Sequence, residues 1–335
     1  MAEYEFIHLP HKPDAPLSYH FVRGKGSLSA THLLIFHNGL ILPQSSWQPT
    51  LRHLEQRWID SGSADLPSLL TYDRYGQGES APDPSDAAHG GVHDLREVVR
   101  DLEALASAIW AQKMHAEEGG GGGAAPSPRP NPQPTLVFVG NSIGAVIARL
   151  YAQTHPGAVA GLLLLDSNMA NSDVVSVFPD PDAADFDAGC LPPDVSVEDL
   201  RETRAKYARL FHPSVPNPEH LDRRNFAELL PYADRPPVEG PEGGKGPWIT
   251  VVEHDWETFA EEGLRGSLGV PKSLTNAFVN PAWRRYNEGL VRLTDEGRAH
   301  GPVTAKGCGH FIQNDDPVFV AELVDALLDK AAPAL

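Results

Sequence analysis

The sequence predicts an α/β fold: a mostly parallel sheet covered by helices on both faces, with a helical segment inserted into it. Three observations lead there. Short, continuously apolar runs recur at 31–36, 69–72, 136–139, 162–165 and 249–252, and such runs read as strands buried on both faces. Between them lie stretches of helical periodicity at 47–61, 93–115, 143–154, 281–295 and 317–331, and strand–helix alternation builds a parallel sheet. The segment 167–246 interrupts the alternation. It is rich in Pro and Asp, with helical spacing only near 197–211 and 218–230.

In chain order, 4–9 and 17–23 carry weak strand signals and suit an edge. The run 31–36 is apolar and ends in the turn Asn38-Gly39, as a buried strand should. Trp47, Leu51, Leu54 and Trp58 share one helical face. Strand 69–72 runs into the turn-rich Asp73-Arg-Tyr-Gly-Gln-Gly78. Leu95, Val98, Val99, Leu102, Leu105 and Ile109 give 93–115 a strong helical stripe. Residues 119–134 are almost entirely Gly, Ala and Pro and cannot bury a core, so they read as a surface insertion. The strand 136–139 resumes directly after it, which argues against a domain boundary there. A short strand near 302–305 precedes the closing helix, which Asp316 caps and Pro317 begins. The core is therefore expected to comprise 1–166 and 247–335, with 167–246 as a helical lid.

The 335 residues suggest about two domains. With 27 Lys and Arg against 45 Asp and Glu, the formal charge is −18. No basic run offsets it, which argues against nucleic acid or an anionic membrane as partner and favours a neutral or apolar ligand. The N-terminus shows no secretory pattern, and no apolar run approaches the ~18 residues of a transmembrane helix. A cytoplasmic protein with two reduced thiols, Cys190 and Cys308, each a small buried hydrophobe, is the expectation.

Gly140-Asn-Ser142-Ile-Gly144 is a G-x-S-x-G motif placed between an apolar strand and a helix rich in small residues, Ala145, Ala148 and Ala152. In that setting the turn presents the serine side chain above the sheet. A serine at a helix start can also be an ordinary cap; the strand–turn–helix context favours the nucleophile. A serine hydroxyl needs a base, and His310 in Gly307-Cys-Gly-His-Phe311 follows the last strand in a flexible loop. An oxyanion needs backbone N–H donors. Ile143, directly after the nucleophile, and Gly39, in the loop after strand 31–36, are the candidates; Asn38-Gly39 is also the pattern of a plain tight turn, and the two roles are compatible.

These marks, His37-Asn-Gly39, Asp73 to Gly78, the elbow at Ser142 and Gly309-His310-Phe311, resemble the α/β-hydrolase superfamily over roughly residues 15–331, apart from the lid and the Gly/Pro insertion. The resemblance implies an eight-stranded sheet, a Ser-His-acid triad and no cofactor. His-Asn-Gly departs from the common His-Gly. The acid has two candidates. Asp255, after the strand 249–252, stands at the usual family position but lies 55 residues before His310. Asp166 ends the strand 162–165 and follows the nucleophile by 24 residues. A subset of the superfamily, including zearalenone-opening lactonases, carries its acid there, and Asn38-Gly39-Leu40 is similar to their Asp-Gly-Leu oxyanion loop. The reading adopted is Asp166, with Asp255 as the alternative.

The expected activity is hydrolysis of a carboxylic ester or lactone of a small, largely apolar molecule by a monomer or homodimer. The alternatives are a carbon–carbon bond hydrolase and a non-catalytic receptor on the same scaffold. Glu253-His-Asp255 offers metal-ligand types without a second cluster, so no metal is expected. Trp256, Trp283 and Tyr286 can line a pocket or simply fill the core.

Overall fold

The structure, a computed structural model, describes residues 3–115 and 133–332. Among these, eight strands form one sheet: β1 (Glu5–Leu9), β2 (Lys12–Val22), β3 (His32–His37), β4 (Ser68–Tyr72), β5 (Thr135–Asn141), β6 (Val159–Leu165), β7 (Trp248–His254) and β8 (Ala299–Ala305). Their spatial order is β1-β2-β4-β3-β5-β6-β7-β8. β1 and β2 pair antiparallel, as do β2 and β4. All other neighbours are parallel. The mostly parallel sheet expected from the sequence is therefore present.

Its apolar runs follow from double coverage. On one face, Leu34, Phe36, Val137, Val139, Leu163 and Leu165 pack against helices α1 (Gln48–Ser61) and α7 (Pro317–Ala331). On the other, Leu33, Ile35, Phe138, Leu162 and Leu164 meet α2 (Leu95–His115) and α3 (Ile143–Thr154). Successive residues thus serve opposite cores, and each fully buried Leu or Phe is worth about 1.5–3 kcal/mol. Asp316 caps α7 by accepting from Phe319 N, with Pro317 as its first residue.

The chain between β6 and β7 is less helical than its spacing suggests. Helix α4 (Val197–Leu210) forms, with a Ser196–Asp199 capping box. The helix expected at 218–230 does not. Leu221–Asp222 instead pairs with His93–Asp94 in a two-stranded ladder, and Phe226–Leu229 makes a single turn. The reason is local: Asn217 bonds both the N–H and the C=O of Leu221, and the Asp222 carboxylate accepts from Arg224 N. Such side-chain bonds compete with helix. Helix α5 (Trp256–Arg265) was not read from the sequence, and α6 (Asn280–Leu290) ends earlier than expected, passing into the 3-10 turn Val291–Leu293. Cys308 is buried as expected, but Cys190 is exposed, at the end of a short 3-10 turn, Ala188–Cys190, none of whose residues is buried. Of the 119–134 insertion, only 133 and 134 lie within the described residues.

Candidate active site

The strand register brings the site together. His37 pairs with Gly140, and Asn141 with Leu165. Leu165 pairs in turn with Val252, and His254 with Ala305. The residues just beyond the C-terminal ends of β3, β5, β6, β7 and β8 therefore converge above one edge of the sheet.

Ser142 is the turn between β5 and α3, at φ 56° and ψ −120°. A non-glycine residue is strained there, and such strain clusters at functional sites. The two motif glycines make the turn possible. A Cβ on Gly140 would lie 2.6 Å from the Gly144 carbonyl carbon, and one on Gly144 would lie 2.3 Å from His37 O. Ser142 N–H donates to Leu165 O (3.1 Å), and Asn141 Nδ2 donates to His310 O (2.9 Å). The elbow is thus tied to β6 and to the His310 loop.

His310 Nδ1 lies 2.6 Å from Asp166 Oδ2. The carboxylate is fully buried, and Asp166 itself holds a left-handed backbone at φ 42°. The His310 ring is partly open and lies against the Trp283 ring at 5.5 Å. Asp255, the alternative acid, is engaged elsewhere. Its carboxylate caps α5, accepting from Glu257 N and Thr258 N, and also from Gly307 N. Those bonds, Thr258's first, hold its carboxyl below the usual range. Among the described residues, no hydrogen bond joins Ser142 Oγ to His310; such contacts often tighten only as substrate binds.

Gly39 stands beside the nucleophile, since a Cβ built on it would fall 3.6 Å from Ser142 Cβ. Ile143 is the first residue of α3, where the backbone N–H has no intrahelical acceptor. The Gly39 loop is held by side chains from two directions. Arg74 donates to Asn38 O (2.8 Å) and Gly39 O (2.9 Å), and Gln77 also donates to Gly39 O. Glu219, from the chain between β6 and β7, accepts from Arg74, Gln77 and Ile41 N. Asn38 is buried and bonds Tyr72 O, Gln77 and Trp47, so it braces the loop from within. His37 beneath it is kept neutral, pushed down to about 3 by burial and then by Arg74.

Three residues near Asp166 and His310 had no catalytic role in the sequence reading, where Trp283 was expected only to line a pocket or fill the core and His254 was weighed only as a metal-ligand type. His254 Nδ1 lies 2.8 Å from Asp166 Oδ1, the carboxylate oxygen that His310 does not use. Trp283 Nε1 donates to Ser167 O (2.8 Å), placing an indole between His254 and His310. Glu262 fills the space where a Cβ on Gly309 would stand, and burial, then Asp315, pushes its carboxyl up. Glu253-His254-Asp255 could have marked the region, but only the parallel pairing of β6 and β7 reveals that His254 meets Asp166.

Residues 34–323 match the sequence profile of the alpha/beta hydrolase family. The chain belongs to that family. Among solved structures, this α/β hydrolase superposes on mouse alpha/beta hydrolase domain-containing protein 10 with TM-score 0.50 and 14% identity, covering 98% of this chain and 99% of that one. It superposes on an epoxide hydrolase of Vigna radiata with TM-score 0.50 and 13% identity, covering 98% of each. At such identities the likeness is one of fold. No curated protein matches the chain by sequence. Among the described residues of this α/β hydrolase, no helix is long and apolar enough to cross a membrane.

Asp83, Asp86 and His93 hold ligand-type atoms within 4.8 Å of one another. A cation is already supplied, because Lys12 Nζ reaches Asp83 at 2.5 Å and Asp101 at 2.7 Å.

Proposed function

We propose that this protein is a serine hydrolase that cleaves a carboxylic ester or lactone of a small, largely apolar molecule through an acyl-enzyme. The observation that carries this reading is a serine on a strained strand–helix turn that its neighbour Asn141 ties to the loop of a histidine whose Nδ1 is bonded to a buried carboxylate.

In the proposed reaction His310 takes the Ser142 proton as the hydroxyl attacks the carbonyl carbon. Asp166 keeps Nδ1 protonated, so that Nε2 is the basic nitrogen, and stabilises the imidazolium. The N–H groups of Gly39 and Ile143 receive the tetrahedral oxyanion. His310 then protonates the leaving alkoxide and activates water against the acyl-enzyme. Residues 167–246 act as the roof that selects substrate. Supporting this, Asn168 N bonds Ser142 O and Glu219 bonds the Gly39 loop, so the excursion touches both halves of the site. A neutral substrate suits the −18 formal charge.

Labelling with a fluorophosphonate probe followed by peptide mapping tests the reading. The probe is expected on Ser142 and lost in Ser142→Ala, with turnover of at least one member of an ester and lactone panel. A chain that neither labels nor hydrolyses any of them is not a serine hydrolase.

A further inference from the structure

The Asp166 carboxylate accepts two imidazoles, one on each oxygen: His254 on Oδ1 at 2.8 Å and His310 on Oδ2 at 2.6 Å. A triad needs only the second. His254 is buried, and its other nitrogen, Nε2, lies 3.1 Å from Asn280 Oδ1.

Which way Asn280 points is fixed by a chain of bonds that starts outside the site. Lys272 Nζ pairs with Glu257 at 2.9 Å and holds that carboxyl low, so it is ionised and can only accept. Asn276 must therefore turn its Nδ2 to Glu257 Oε1 (2.9 Å), leaving Oδ1 to face Asn280. Asn280 Nδ2 then donates to Asn276 Oδ1 (2.7 Å) and to the backbone carbonyl of Trp256 (3.2 Å). Reversing this amide would set its oxygen against two acceptors. Asn280 Oδ1 is thus the atom that meets His254 Nε2, and it cannot donate. On the other side the carboxylate cannot donate either. Both ring nitrogens of His254 face acceptors, so both must carry hydrogen.

We propose that His254 is a positioning residue that stands as an imidazolium and shares the Asp166 carboxylate with His310. This rests on the reading of Ser142, His310 and Asp166 as a triad. With a partner on each oxygen the carboxylate cannot turn, and the cation beside it keeps it ionised without help from His310. Phe259 of α5 and Trp283 of α6 pack against the His254 ring, and the charges of Glu262 on α5 and Glu253 on its own strand act on it; Glu253 is itself paired with Arg284 of α6. Burial alone would push the His254 ring toward neutrality; the charge and hydrogen bond of Asp166, with Asn280 and Glu253, outweigh it and raise the pKa. Burial likewise pushes the Asp166 carboxyl up, but His254 first and His310 second hold it at about 2.

The test uses the full chain labelled with ¹⁵N-histidine. The His254 ring signals are identified by their loss in His254→Asn, whose amide stands where Nδ1–H stood and carries no charge. Should that variant not fold, Asn280→Ala identifies the same signals by shifting them. Two protonated ring nitrogens persisting to about pH 8, where an unperturbed histidine is neutral, are expected. A neutral tautomer at that pH overturns the proposal. In His254→Asn the acidic limb of the fluorophosphonate labelling profile is expected to move up by about one pH unit, at the low end of what an adjacent charge does. A profile that superimposes on wild type overturns the positioning role. If wild type does not label at all, the hydrolase reading fails, and the ring spectrum still decides the protonation of His254.

Discussion

Ser142, Asp166 and Ile41 all carry positive φ, at 56°, 42° and 60°. They belong in turn to the proposed nucleophile turn, the proposed acid and the candidate oxyanion loop. Strained backbone at three adjoining loops persists only if its surroundings over-determine it, and the hydrogen bonds from Asn141, His254 and Glu219 supply that constraint. The acid assignment gives a direct prediction. Asp166→Asn is expected to lower the labelling rate by about 10⁴, the loss typical when a triad histidine is left in the wrong tautomer. Asp255→Asn is expected to leave labelling intact and to cost well under ~1 kcal/mol of stability, since Asn caps a helix about as well as Asp; rates and urea midpoints of the two variants measure this. The pH dependence of stability follows from the same residue. The Asp166 carboxyl is depressed to about 2, so its stabilising contribution is complete above its unfolded value near 4 and is lost as pH falls toward 2. An acid-unfolding curve that Asp166→Asn leaves unmoved would remove that contribution. The sequence made Ser142 and His310 legible because each sits in a local pattern. It left the acid open between Asp166 and Asp255, and it passed over His254, because both depend on which strands lie side by side.

At the scale of elements, regular periodicity was readable and locally bonded turns were not. Helix α3 matches its expected limits because its stripe of small and apolar residues faces one core. The expected helix at 218–230 failed because Asn217 and Asp222 bond the nearby backbone of Leu221 and Arg224, and α5 was missed because its cap, Asp255, was weighed only as a catalytic acid or a metal ligand. The irregular stretch that replaced the 218–230 helix matters to the site, since it delivers Glu219 to the Gly39 loop. Glu219 is buried and bonds Arg74, Gln77 and Ile41 N together. Glu219→Gln retains the size of the side chain but weakens its hold on the Arg74 guanidinium, and with it the hold on Asn38 O and Gly39 O. The labelling rate is expected to fall about tenfold or more, toward the ~10² lost when one oxyanion donor is removed. Unchanged labelling in a folded Glu219→Gln variant would mean that the loop holds its shape without the excursion.

At the scale of the whole molecule, the sheet divides two cores, and its central strands were foreseeable because each is apolar on both faces, while the count of eight came from the family resemblance. What hydropathy could not show is a charged cluster outside the site, where β2 meets α2. Lys12 is buried and bonds Asp83 (2.5 Å) and Asp101 (2.7 Å), while His93 bonds Asp86 (2.8 Å) and His11 bonds Asp101 (2.7 Å). Only the fold sets Lys12 between two carboxylates from distant segments. In a chain of formal charge −18 such a cluster gathers acids whose mutual repulsion one cation must offset. Burial pushes both carboxyls up; for Asp101 it prevails over the bonds from Lys12 and His11, whereas for Asp83 the bonds from Lys12 and Ser85 together outweigh it and lower the pKa. Replacing it by Met keeps the length of the side chain and leaves two buried carboxylates without their cation. Breaking a buried ion pair on one side costs about 3–5 kcal/mol. Lys12→Met is expected to lower the urea midpoint by an amount in that range with an unchanged slope, and to leave Ser142 labelling at wild-type rate below the midpoint. A drop well under ~1 kcal/mol would mean that the two carboxylates are held by their remaining bonds, Asp83 to Ser85 and Asp101 to His11, without their cation.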